Sequence, residues 1–159
     1  MLTVQSPLIN SIMERGRRRH LTRIIPREEI RSMFRVLKAN EVVWYATDQG
    51  YREKQSIIVP FFGIPASANS ATSRIAKTSG AALLPFVTYR LNDNSGYLLK
   101  ISPPVENFPS DDPEKDALRI NEIIERQIVE HPEQYYWVHR RFKRRDKAAP
   151  DVYGQKAAE

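Results

Sequence analysis

Glu41-Val-Val-Trp-Tyr-Ala46, continued by Thr47 and Asp48, is the stretch on which the fold reading turns. Its apolar residues follow one another almost without interruption, the pattern of a short strand buried on both faces. Immediately upstream, Ile30, Met33, Phe34 and Leu37 recur at the i, i+3, i+4, i+7 spacing of an amphipathic helix. Pro26 stands where a first helical turn accepts proline, Glu28 and Glu29 suit the positive end of the helix dipole, and Asn40 suits its close. A helix feeding directly into a doubly buried strand predicts an α/β arrangement.

Downstream, Thr47 to Ser56 reads as a polar loop, and Ile57 to Phe62 as a second strand that Gly63, Ile64 and Pro65 interrupt. The Ala- and Ser-rich stretch from Ser67 to Thr78, with Gly80 placed for a C-cap, predicts a helix. Ala81 to Tyr89 and Tyr97 to Ile101 flank the turn signal Asn92-Asp93-Asn94-Ser95-Gly96 and predict an antiparallel hairpin. After the loop marked by Pro103, Pro104 and Pro109, Asp111 and Asp112 open a long helix. Leu118, Ile120, Ile123, Ile124 and Ile128 form its buried side, and His131-Pro132 ends it. A last short helical stretch is expected over about Glu133 to Lys143. The expectation is a single α/β domain over residues 1–145, with a mostly buried mixed sheet flanked by helices, and a charged, loosely ordered tail over 146–159.

The chain has 159 residues, 41% of them hydrophobic, enough for one sizeable core. The absence of cysteine excludes disulfide scaffolds, thiolate metal sites and cysteine nucleophiles. The longest apolar run, Ile57 to Ala66, is half of the ~20 residues a spanning helix needs and is broken by Pro60 and Pro65. No signal peptide is read at the start. All of the +6 net charge is carried by the first forty residues, which favours an anionic partner without choosing among nucleic acid, phosphorylated lipid, membrane surface and acidic protein.

Neither G-x-S-x-G, G-x-G-x-x-G nor a P-loop occurs, and His20, His131 and His139 lack zinc-ligand spacing, so no metal and no cofactor is expected. A histidine followed five positions later by a carboxylate is also missing: Ile25, Tyr136 and Arg144 stand at those places. Two clusters remain. Gly16-Arg17-Arg18-Arg19 offers guanidinium forks suited to phosphate oxyanions, or is the solvated end of a helix. Pro132 to Arg145 interleaves aromatics with cations, which suits base stacking beside phosphates, or else Tyr136, Trp137 and Phe142 plug the core while Arg and Lys face water. Asp48, at the end of an apolar run, stands where α/β proteins place functional carboxylates, though a loop-capping Asp is the plainer reading.

Several segments together resemble the lipid A biosynthesis late acyltransferases: Glu41-Val-Val-Trp-Tyr-Ala-Thr-Asp-Gln49, Val59-Pro-Phe-Phe-Gly63, Ser79-Gly-Ala-Ala82 with Pro85-Phe86, and Pro132-Glu-Gln-Tyr-Tyr-Trp-Val-His-Arg-Arg-Phe-Lys143. The resemblance runs from about Pro7 to Tyr153 and fits the C-terminal half of that family. It implies a lysophospholipid-acyltransferase-like fold lacking its N-terminal part. The implied reaction is fatty acyl transfer from an acyl carrier protein thioester to a hydroxyl of a phosphorylated lipid A precursor. It would take place peripherally, on an anionic membrane surface at the cytoplasmic face of the bacterial inner membrane. By the same resemblance Arg17 and Asp48 are catalytic, Arg17 holding phosphate or the developing oxyanion and Asp48 positioning substrate or a neighbouring base. Arg17, Arg18, Arg140 and Arg141 are the expected substrate-binding residues. The family's His-x4-Glu or His-x4-Asp and its membrane anchor lie upstream of the matched stretch. Thr47, Gly50 and Arg52 depart from the family's Ala-Pro-Asp-x-Asp-Tyr-Gly. The alternative is a non-catalytic basic module binding anionic lipid, acyl carrier protein or, least favoured, nucleic acid.

Overall fold

The computed structural model describes residues 6–26, 29–48, 56–143 and 152–153. The chain divides into two compact units, 1–46 and 47–159.

The smaller unit holds two helices, α1 (Pro7–Arg18) and α2 (Ile30–Lys38). Pro7 starts α1, where the missing N–H costs nothing, and Arg15, Arg17 and Arg18 occupy its last turn, where the dipole favours cations. The start of α2 falls at Ile30, four residues later than expected from Pro26. The carbonyl of Pro26 accepts from the Glu29 N–H at 3.0 Å. Its close is as expected: Asn40 adopts φ 59, the Asn40 N–H bonds the Leu37 carbonyl and the Glu41 N–H bonds the Val36 carbonyl. That is a Schellman motif, with Asn as the residue that tolerates the left-handed backbone.

The segment expected to be a doubly buried strand is neither helix nor strand. Val42 is 98% exposed and Trp44 63%. A strand needs a ladder partner, and the described strands pair only with each other: β1 (Ser56–Phe61) with β2 (Ile64–Asn69), and β3 (Phe86–Arg90) with β4 (Tyr97–Ile101). The described sheets are therefore two separate antiparallel pairs rather than one mixed sheet.

In the larger unit, Phe62 (φ 49) and Gly63 (φ 72) form a two-residue turn with positive φ at both positions, the type I′ geometry that matches strand twist. What reads in sequence as an interruption is thus a hairpin. The chain reverses, and Ala66 and Ala68 come to lie opposite Val59 and Ile57. This takes over the front of the expected Ser67–Thr78 helix, leaving α3 (Ala71–Ser79) closed by Gly80 at φ 70. Helix propensity loses here to the small side chains that the packed face requires. A two-residue turn makes Phe61 and Ile64 the hydrogen-bonded pair, so Pro60 and Pro65 face each other at a position where no ladder N–H is needed.

The long helix α4 (Pro113–Glu130) begins as expected: the Asp112 carboxylate accepts from the N–H groups of Glu114 (2.9 Å) and Lys115 (3.2 Å). Its apolar side packs on the first hairpin. Ile128 joins Phe61, Ala66 and Phe142 in one cluster, and Ala117 joins Val59 and Ala68 in another. Two polar residues one turn apart on α4 reach the backbone of the first hairpin, Asn121 Nδ2 donating to the Pro60 carbonyl (2.7 Å) and Glu125 Oε1 accepting from the Phe62 N–H (2.8 Å). The hairpin of β3 and β4 forms in the expected register, Arg90 opposite Tyr97. Past His131, the expected helix is reduced to a single 3₁₀ turn, Pro132–Gln134, and Tyr135 is already extended. This segment turns Arg141 and Phe142 inward and leaves Tyr135 half-buried.

Candidate functional site

The inward turn of residues 135–142 creates a polar centre inside an aromatic wall. Arg141 is 1% exposed. Its guanidinium lies 4.9 Å from the Phe61 ring centre, donates through Nη1 to the Ser67 carbonyl of β2, and donates through Nη2 to Asn121 Oδ1 at 3.3 Å. Asn121 thereby links the guanidinium to the Pro60 carbonyl. Tyr135 packs part-buried on the same wall, its ring 6.4 Å from Phe61. Tyr153 closes another side: its hydroxyl accepts from the Phe142 N–H at 2.9 Å, and the exposed Arg140 guanidinium lies 5.6 Å from its ring centre.

Asp48, half-buried at the end of the 41–48 stretch, acts electrostatically on this centre. Burial pushes the Tyr135 hydroxyl up to about 12; the negative charge of Asp48 adds to that, and the positive charge of Arg141 opposes it. Burial also lowers the Arg141 guanidinium from its ordinary value, while Tyr135 and Asp48 resist the change. Tyr135 Oη, His139 Nε2 and Arg141 Nε are buried without a hydrogen-bond partner among the described residues, three unpaired polar atoms from one seven-residue segment. Buried polar atoms are ordinarily paired, so these three set the segment apart from an ordinary core.

The expected arginines separate. Arg17 and Arg18 belong to the 1–46 unit; Arg140, Arg141 and Asp48 belong to the other. Arg18 lines a shallow depression of about 330 Å³ on α1 with Ser11, Glu14, Arg15 and Arg19, and Arg17 stands half-exposed in the last turn of the same helix. Of the 140–141 pair, Arg140 faces outward and Arg141 inward. Phe142 plugs the core, whereas Tyr136 (68%) and Trp137 (46%) remain exposed, so the aromatic stretch splits between its two sequence readings. His131 ends α4 beside Tyr89, its Nδ1 3.3 Å from Glu133. Among the described residues no group of three His, Cys, Asp or Glu side chains could hold a metal.

Tyr135, Asn121 and Ser67 escape the sequence reading. Asn121 carries a usable signal, since it interrupts the apolar stripe Ala117, Ile120, Ile124, Ile128 of a helix, where an amide needs a partner. Ser67 contributes its carbonyl, which any residue would supply.

The sequence matches the family described as bacterial lipid A biosynthesis acyltransferase over residues 1–144. It is 40% identical over 149 residues to the lipid A biosynthesis lauroyltransferase of Escherichia coli K12, covering 93% of this chain and 49% of that protein. To the palmitoleoyltransferase of the same organism it is 39% identical over 158 residues, covering 96% and 51%. A lipid A biosynthesis acyltransferase of Haemophilus influenzae is 34% identical over 151 residues, 93% and 49% covered. The chain thus spans about half the length of these relatives.

Proposed function

The chain belongs to the bacterial lipid A biosynthesis acyltransferase family, and on that premise we propose that it furnishes the acceptor-binding side of acyl transfer to a lipid A precursor. The donor is an acyl carrier protein thioester and the acceptor a hydroxyl of a phosphorylated glycolipid. The reaction takes place at an anionic bilayer surface, the cytoplasmic face of the inner membrane, to which the chain binds peripherally. The observation that carries this reading is a family match over residues 1–144, a range that takes in the arginine-rich end of α1 and Asp48. Among the described residues no helix is long and apolar enough to cross a membrane.

Arg17 and Arg18 hold the acceptor's phosphate, or in the case of Arg17 the developing oxyanion, through two-pronged hydrogen bonds. Arg140 supplies an outward-facing cation in the other unit. Asp48 positions substrate or a base. The step still needs a proton acceptor for the attacking hydroxyl, and no histidine of this sequence has a carboxylate five positions on. Acid–base assistance of that kind is worth ~10²–10⁴ in rate. The 159 residues alone are therefore expected to bind phosphorylated lipid A precursor in detergent and to transfer no acyl group from the carrier-protein thioester. Binding that survives removal of the precursor's phosphates, or no binding by a folded chain, defeats the reading. Acyl transfer by the chain alone would keep the family chemistry and direct attention to His20 or His139 as the base.

A further inference from the structure

We infer that α1 is the membrane-facing element of the chain: it lies along an anionic bilayer with its apolar side among the acyl chains and its arginine-rich end at the level of the lipid phosphates. The inference rests on the proposed function in taking a bilayer surface as the place of reaction, and it names the residues that meet that surface.

Helical geometry sorts the side chains of α1 into two sides. At about 100° per residue, Leu8, Ile12, Gly16, Ile9 and Met13 fall in succession within an arc of about 140°. Arg15 borders that arc beside Leu8, and Arg17 borders it beside Met13. Asn10, Ser11, Glu14 and Arg18 occupy the opposite side. An amphipathic helix of a water-soluble unit turns its apolar side to a core and its polar side to water. In α1 the two are exchanged. Leu8 is 71% exposed and Ile12 63%, with Ile9 and Met13 exposed beside them, whereas Asn10, Glu14 and Arg17, in successive turns of the helix, are half-buried. No residue of the helix is buried. Four large apolar side chains presented together on one outward side mark a surface with a partner.

The charge beside them selects the partner. Arg15, Arg17, Arg18 and Arg19 stand against the single carboxylate of Glu14. Two of the four lie on the margins of the apolar arc, where long cationic side chains keep their stems on the acyl boundary and reach the phosphates with their heads. An anionic bilayer offers acyl chains in the middle and phosphates at both edges, the same layering as the helix. Twelve residues extend about 18 Å, well short of the ~30 Å of a hydrocarbon core, so α1 lies in the plane of the surface rather than across it. In that orientation Arg17 and Arg18 stand at the depth where an acceptor held in the same bilayer carries its phosphates.

The chain has no cysteine, so Ile12→Cys and Ser11→Cys can each carry one environment-sensitive fluorophore on the full 159 residues. With vesicles of phosphatidylcholine and phosphatidylglycerol in equal parts, the label at Ile12 should shift to the blue and lose about four-fifths or more of its quenching by iodide. The label at Ser11 should stay in water. Vesicles of phosphatidylcholine alone should bind at least tenfold more weakly. Ile12→Glu should abolish vesicle binding and leave the urea midpoint where it is, because the side chain it replaces is already exposed. Labels that respond alike at the two positions, or not at all, overturn the proposal. So does a label at Ile12 that is blue and shielded before any vesicle is added, or an Ile12→Glu chain that unfolds at lower urea, since either shows that protein covers this side of α1. Insertion into these vesicles by a chain that binds no lipid A precursor in detergent defeats the functional reading and upholds this one; precursor binding without insertion does the reverse.

Discussion

The larger unit contains two hairpins of nearly equal strand length and very different circumstances. In the first, Val59, Phe61, Ala66 and Ala68 are buried beneath α4. In the second, every residue of β4 is exposed, including Leu98, Leu99 and Ile101. The contacts that join this second hairpin to α4 and the 3₁₀ turn are mainly polar: the Tyr89 hydroxyl on the Gln127 carbonyl (2.7 Å), Lys100 on Glu130 (2.7 Å), and Gln134 on the backbone of Arg90. An isolated two-stranded ribbon is marginal in water, so the first hairpin is stabilised by area removed from solvent and the second mostly by its turn and these few bonds. Arg141 and Asn121 are bonded to the first hairpin, and none of the expected site residues lies in the second.

The largest expected effect is that of Phe61→Ala, which empties the wall beneath Arg141 and should cost about 3–5 kcal/mol in urea unfolding. A loss below ~1 kcal/mol would erase the distinction between the hairpins. Asn121→Ala should come next, at about 1–3 kcal/mol, because it leaves the Pro60 carbonyl and one arm of Arg141 unpaired in a buried place. Asn121→Leu, of similar size but without the amide, should lose at least as much if polar satisfaction rather than volume is what matters.

A pH effect sharpens the comparison further. The folded chain holds the Tyr135 hydroxyl protonated up to about 12, against an ordinary 10.0. The contribution is fully present below pH 10 and is lost as pH rises through the folded value, since the unfolded chain releases that proton first. The alkaline side of the stability profile should therefore fall in the native sequence and flatten in Tyr135→Phe, measured as urea midpoints between about pH 9 and 11.5. Smallest of all, Leu99→Ala on the exposed strand, 55% accessible, should change stability by about 0.5 kcal/mol or less. A loss comparable with that of Phe61→Ala would show that the second hairpin is covered in solution.

The elements legible in the sequence are those whose signal is local. Asp112 caps α4 with its own carboxylate, Gly80 and Asn40 close helices because their backbones accept positive φ, and Asn92 to Gly96 turns a chain whatever surrounds it. The misread elements depend on distant neighbours. Glu41 to Ala46 is apolar enough for a buried strand, yet composition does not reveal whether another strand lies alongside. Ser67 to Asn69 looks helical because alanine and serine are small, and smallness is what packing under Ala117 also demands. Arg141 stands in a run of cations that reads as a wet surface, and only the aromatic wall shows that one of them faces inward. That Arg141 faces inward while its neighbour Arg140 faces outward is a distinction the run of cations does not carry.

The pairing of Asn121 and Glu125 with the Pro60 carbonyl and the Phe62 N–H has a consequence for assembly. These two backbone groups, one near the end of β1 and one on the first residue of its turn, lie two residues apart, the spacing at which an incoming extended peptide would seek its bonds. The helix already occupies them with side chains, and Pro60 has no N–H to offer beside its carbonyl. At this end of β1 an incoming peptide therefore finds its partners already engaged, and strand addition here would have to displace the side chains of α4.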